Sequence, residues 1–207
     1  MGKRIAIYLL GLSITALGIA LIVLSMAGAG PWDIVAVGLN NHFGLTIGTW
    51  SIIAQTCVVL LTGIIEKKRP PFESVGAIII RSLILDGWIY LVFNNVDFTS
   101  SLEFQWISFT IGVLASGLGI GIYVLAEFPK TPIDGLMVAV HKRFGYSLNV
   151  SRTIIEAAAV VLGYLLGGPV GIGTLIIALT LGKVIQVSNQ GIKKVFCQPD
   201  LSLSKSS

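Results

Sequence analysis

Charge is scarce in this chain: Lys, Arg, Asp and Glu together supply only 12% of its 207 residues, against about 25% in soluble globular domains. A chain this poor in charge has too little polar surface for an ordinary water-soluble fold. Cysteine is nearly absent, with Cys57 inside an apolar run and Cys197 near the end, so neither a disulfide framework nor a thiolate metal cluster follows. The two histidines, His42 and His141, fall in no His-Glu-x-x-His pattern, and Gly-x-Ser-x-Gly is missing as well. No enzyme chemistry, cofactor or metal site is therefore expected.

What the chain has instead is apolar length. It is 54% hydrophobic with a mean hydropathy of +0.88, and a helix needs roughly 20 apolar residues to cross the hydrocarbon core. Six stretches satisfy that length: residues 5–27, 46–65, 75–96, 104–126, 149–167 and 170–188. The first resembles a signal peptide ending near Ala27 and Ala29. It is longer than the usual signal core of about 7 to 15 residues, and residues 104–126 copy it internally, so it is read as the first membrane helix. The formal charge of +4 comes from Lys and Arg at span ends, a topogenic pattern rather than a nucleic-acid surface.

The chain repeats itself. Pro132 stands 101 residues after Pro31, and the same offset relates Gly11 to Gly112, Gly18 to Gly119, Asp33 to Asp134, Phe43 to Phe144 and Gly44 to Gly145. Apolar bias alone does not align Pro, Asp and Gly. Each copy reads as a long helix, a short helix opening on Pro-x-Asp, and two more long helices; residues 1–96 form the first, 104–190 the second, and 191–207 a tail. If the short helix does not cross the membrane, Lys3, Arg4, Lys67, Lys68, Arg69, Lys130, Lys142, Arg143, Arg152, Lys193, Lys194 and Lys205 share one side. The loops on the other, 28–45, 97–103 and 168–169, contain neither Lys nor Arg. By the positive-inside tendency both termini are cytoplasmic. Three spans per copy turn the second upside down, the arrangement of many transporters. The expected fold is an all-α membrane bundle of six transmembrane helices in two inverted three-helix repeats, each with a Pro-x-Asp half-helix.

Asp33 and Asp134 have two readings. Thr131-Pro132-Ile133-Asp134 is a helix start, with Thr at the N-cap, Pro at the first helical position and Asp at the third, and Gly30-Pro31-Trp32-Asp33 is the same start with a Gly cap. Either Asp can also face a central cavity. The short helix is re-entrant or lies flat at the interface, and both alternatives stay open. Within the spans, ionisable groups cost on the order of 3 kcal/mol at the helix centre and face protein or water. Asp86 and Glu156 fall nearest the middle, Gln55 occupies the position equivalent to Glu156, and Arg81, Arg152 and Lys183 are the accompanying charges. Arg152 can pair with Glu156 one turn on, and Asp86 with Lys183 across the repeats. These groups either satisfy one another or line a path. Ala16-x-x-x-Ala20, Gly117-x-x-x-Gly121 and Gly163-x-x-x-Gly167 allow close helix approach, between the repeats or across a homodimer face.

The segments Leu17 to Asp33, "LGIALIVLSMAGAGPWD", and Gly171 to Lys183, "GIGTLIIALTLGK", resemble the YczE/YyaS/YitT group of bacterial integral membrane proteins over residues 5–190. Glu127 and Lys130 before the second Pro-x-Asp depart from the group's pattern. The resemblance implies a multi-pass protein of the bacterial cytoplasmic membrane and supplies no substrate. Two functions are carried forward: a small-solute or ion transporter with Asp33, Gln55, Asp86, Asp134 and Glu156 along its path, or an accessory protein that scaffolds a partner enzyme or complex. The bilayer itself is the one partner expected in either case. A topology reporter fused after Pro70 is expected on the cytoplasmic side, and an external signal there would refute the three-span repeat.

Overall fold

The computed structural model describes residues 2–126, 128 and 131–196; Glu127, Lys130, Cys197 and the rest of the tail, Lys205 included, lie outside the described residues. Among them there are eight helices and no strand: α1 (Gly2–Leu24), α2 (Pro31–Phe43), α3 (Ile47–Glu66), α4 (Glu73–Asp86), α5 (Leu102–Val124), α6 (Pro132–Phe144), α7 (Leu148–Leu165) and α8 (Ile172–Phe196). α4 continues directly into a π-helical turn, Gly87–Val92. Counting α4 with that turn, six helices are long and apolar enough to cross a membrane, and the 13-residue α2 and α6 are not. The order long, short, long, long thus occurs twice.

Local chemistry sets the boundaries. The hydroxyls of Thr46, Ser101, Thr131 and Ser147 accept from backbone N–H groups in the first turns of α3, α5, α6 and α7; each satisfies one donor that the helix itself cannot. Lys67 and Gly145 adopt left-handed backbone conformations that end α3 and α6, and Met26, with φ of 55°, turns the chain just beyond α1.

The centre of the bundle is a seam between α1 and α5. A Cβ on Gly11 would lie 2.6 Å from the Tyr123 amide nitrogen, one on Gly18 2.4 Å from that of Ser116, one on Gly112 2.8 Å from the Gly18 carbonyl oxygen, and one on Gly119 2.4 Å from the Thr15 amide nitrogen. Residue numbers rise on one helix as they fall on the other, so the two run antiparallel. The contacts also exchange under the 101-residue offset: Gly18 meets Ser116 as Gly119 meets Thr15, and Gly11 meets Tyr123 as Gly112 meets Ile22. Backbones this close leave no room for a side chain, and small residues are what permit it.

Around the seam, α4 packs on α1 and α8 on α5, while α2 packs on α3 and α7, and α6 on the same two helices. α2 lies against the C-terminal part of α7, where Gly163 abuts Ile34 and Gly38 abuts Leu166. α6 lies against the C-terminal part of α3, with Gly135 beside Thr62 and Lys142 4.0 Å from Glu66. The N-terminal part of α2 is buried and its C-terminal residues are exposed, and α6 follows the same gradient. Leu91, 83% exposed, and a broad set of other uncovered leucines, isoleucines and valines on the long helices give the bundle an apolar exterior suited to lipid.

The small-residue stripes divide their work differently from the expectation. Gly117 and Gly121 receive Val184, Ser188 and Asn189 of α8, Gly163 receives α2, and Gly167 is a left-handed residue just past α7. Ala16 and Ala20 are fully buried in the main core. The two halves approach closely at the glycines seven apart on α1 and α5, and again where Gly163 of α7 receives Ile34 of α2. Gly18→Ala and Gly119→Ala are each expected to lower stability by about 1–3 kcal/mol through overpacking, whereas Gly76→Ala, where an added Cβ meets nothing within 4 Å, leaves it unchanged or improved. Equal thermal unfolding of all three in detergent would refute the seam.

Candidate solute cavity

A pocket of about 30 Å³ opens among α1, α3, α4, α5 and the start of α6, room for about two water molecules. Tyr8, Gln55, Arg81, Tyr123 and Thr131 give it polar walls, with Leu12, Ile78 and Pro132 between them. Each arrives by a simple local rule. Tyr8 and Leu12 are one turn apart on α1, as are Ala77 and Arg81 on α4, and Gln55 is buried at 4% exposure on the inner face of α3. Pro132 is in place because Thr131 caps α6: its hydroxyl accepts from the Asp134 amide (3.4 Å) and donates to Asp134 Oδ2 (2.9 Å).

Arg81 is the group whose chemistry stands out. Its Nε and Nη2 are buried and have no hydrogen-bond partner among the described residues. Its charge acts on Asp33 and on Tyr123, and the Tyr123 hydroxyl is also under the influence of Asp134 and Tyr8. Trp32 of α2 packs on a small core of Val58 from α3, Leu136 and Val140 from α6 and Ile155 from α7.

The other sequence candidates divide into two groups elsewhere. Asp134 Oδ1 lies 4.0 Å from Arg152, whose Nε donates to Glu156 at 2.8 Å with both side chains partly exposed. The Arg152–Glu156 pair is therefore made on α7 itself, and Glu156 does not share the pocket with its counterpart Gln55. Asp86 was expected near mid-membrane with Lys183 as its partner. Among the described residues no ion pair joins them; Asp86 instead accepts from the Gly48 amide at 2.7 Å and from the Thr46 hydroxyl. Tyr90, four residues on through the π-helical turn, accepts from the Ile47 amide at 3.2 Å, and the Thr46 hydroxyl accepts from Thr49. The first three helical N–H groups of α3 are thereby all satisfied. Asp86 sits level with the first turn of α3 because α4 and its π turn run past that point, which counting from span ends does not reveal. Lys183 is exposed on α8. Tyr8 and Tyr123 were not singled out from sequence; a tyrosine hydroxyl inside an apolar run was the available signal.

Six long apolar helices around such a polar interior, with short buried-to-exposed helices between them, define a multi-pass helical membrane protein. The chain belongs to the family of unknown function DUF6198, which matches residues 2–190. It is 33% identical over 180 residues to the uncharacterized protein YyaS of Bacillus subtilis, covering 87% of this chain and 89% of that one. It is 30% identical over 186 residues to the uncharacterized membrane protein YczE of the same organism, covering 89% and 85%. An uncharacterized protein of Haemophilus influenzae is 35% identical over 184 residues, covering 89% and 82%. No solved structure matches the chain.

Asp86→Ala removes acceptors from a largely enclosed helix end and is expected to cost about 1–3 kcal/mol. Glu156→Gln touches a partly exposed pair and should cost less than about 1 kcal/mol. Unfolding of the two variants in micelles checks the order; the reverse would refute the assignment of Asp86 to the start of α3.

Proposed function

We propose that the protein is a small-solute or ion transporter of the bacterial cytoplasmic membrane, built from two inverted repeats with both termini in the cytoplasm. The observation that carries this reading is an inequality between equivalent positions. Tyr8 and Tyr123 line the pocket, and the 101-residue offset relates them to Phe109 and Ile22, which are buried in the main hydrophobic core. One end of the bundle places tyrosines at a polar pocket where the equivalent positions carry apolar side chains in the core. Two copies of one unit in unlike states are what alternating access between inverted repeats requires.

Further support comes from the seam, whose antiparallel contacts exchange between copies, and from α2 and α6, which pack against opposite pairs of α3 and α7 termini. Under the positive-inside orientation the pocket lies in the cytoplasmic half, since it is built near the start of α1 and the end of α5. Asp33 and Asp134 sit at the pivots of the two short helices, Gln55 and Arg81 at the solute, and Asp86 and Glu156 hold the helices that would move. No relative named above carries a transport function, so the proposal stands on this geometry.

Reconstituted wild-type protein is expected to pass at least one solute from a panel of inorganic cations, small anions and neutral metabolites, with Gln55→Leu slowing it about tenfold or more while remaining folded. In a cysteine-free background, Tyr8→Cys should react with an impermeant maleimide from the cytoplasmic side, and Phe109→Cys from the external side during turnover. A silent panel together with a Phe109→Cys that never reacts would overturn transport and leave the accessory role.

A further inference from the structure

We propose that the pocket beside Arg81 binds a small planar monovalent oxyanion, nitrate or a short carboxylate such as formate, with Arg81 as the residue that grips it. The proposal deepens the transport reading by naming the solute class, and it rests on that reading for the anion's passage across the membrane.

A guanidinium carries five N–H donors in a planar fork, and a buried charge is normally paired and hydrogen-bonded because desolvation is costly. Arg81 lies on a candidate span and yet leaves Nε and Nη2 without partners among the described residues. Those two nitrogens form one edge of the fork, the edge that meets both oxygens of a carboxylate or nitrate at once. Neither carboxylate of the Pro-x-Asp helices occupies that edge among the described residues. Asp134 is engaged by Thr131 and Arg152. Asp33 acts on Arg81 through space, but no ion pair within 4.0 Å joins them among the described residues.

The rest of the pocket suits the same ligand. Tyr8, Tyr123, Thr131 and Gln55 offer O–H and N–H donors on the walls. The volume of about 30 Å³, room for about two water molecules, matches an ion of three or four heavy atoms. Arg81 has no charged counterpart in the second copy, where the aligned position on α8 is Ala178, so a single site is built rather than two.

The test is thermal unfolding of the purified full-length protein in detergent, titrated with sodium nitrate, formate or acetate against sodium gluconate at matched ionic strength. A bound ligand stabilises the folded state by mass action, so nitrate and formate should raise the unfolding temperature saturably and gluconate should not. Arg81→Gln should abolish the response, and Arg81→Lys should weaken the apparent affinity about tenfold because the ammonium keeps the charge and loses the fork. Should Arg81→Gln not fold, Tyr123→Phe and Gln55→Leu are each expected to weaken nitrate binding several-fold. The proposal is overturned if wild type shows no saturable nitrate or formate response. It is equally overturned if the response survives in Arg81→Gln or, where that variant does not fold, in both Tyr123→Phe and Gln55→Leu. Anion binding without flux would keep this site and remove transport, whereas flux of cations or neutral solutes without anion stabilisation would keep transport and remove this site.

Discussion

Everything in this bundle is arranged around the contact of two bare helix backbones. Where Gly11 and Gly18 of α1 meet Gly119 and Gly112 of α5, the chains approach so closely that even a methyl group would collide with main-chain atoms. In lipid there is little hydrophobic gain from bringing helices together, so close packing must supply the association. A seam of this kind fixes two long apolar helices against each other and leaves their outer faces to carry α4 and α8. The short helices then occupy the spaces that remain, at α3 and α7, and the pocket forms where the side chains of the seam diverge.

A second constraint acts at the helix ends. Backbone groups inside a membrane protein must find partners within the protein, and the start of α3 shows how far the chain goes to meet it. Thr46 comes from the adjoining turn, Asp86 from the end of α4, and Tyr90 from a π-helical turn that stays in register with Asp86. Such turns inside helices are uncommon and recur where a side chain has to be re-aimed. This one brings the Tyr90 hydroxyl onto the amide next to the one Asp86 accepts from.

Much of this was legible in the sequence. The six spans, the two short helices opening at Pro31 and Pro132, the Thr131 cap and the Arg152–Glu156 pair all follow from local rules that act within a few residues. The repeat was legible too, since Pro, Asp and Gly recur at one offset. What escaped the sequence depends on distance in space. Asp86 looked central because its span was measured by composition, whereas its height is set by how far α4 slides past α3. With 24 glycines in the chain, several spacings suggested close packing, and nothing local distinguished the seam glycines from those that receive α8. Arg81 was visible as a charge, but the empty edge of its guanidinium is a property of the folded surroundings.

The capping of α3 has a mechanical corollary. Its first turn is fastened by three separate side chains from two elements, and α4 lies along it. The matching turn of α7 is held by Ser147 within its own chain segment, and α8 makes no comparable contact along α7 among the described residues. The start of α3 is tied to α4 and its π turn, whereas the start of α7 depends on its own cap and on the packing of α2 and α6 against that helix.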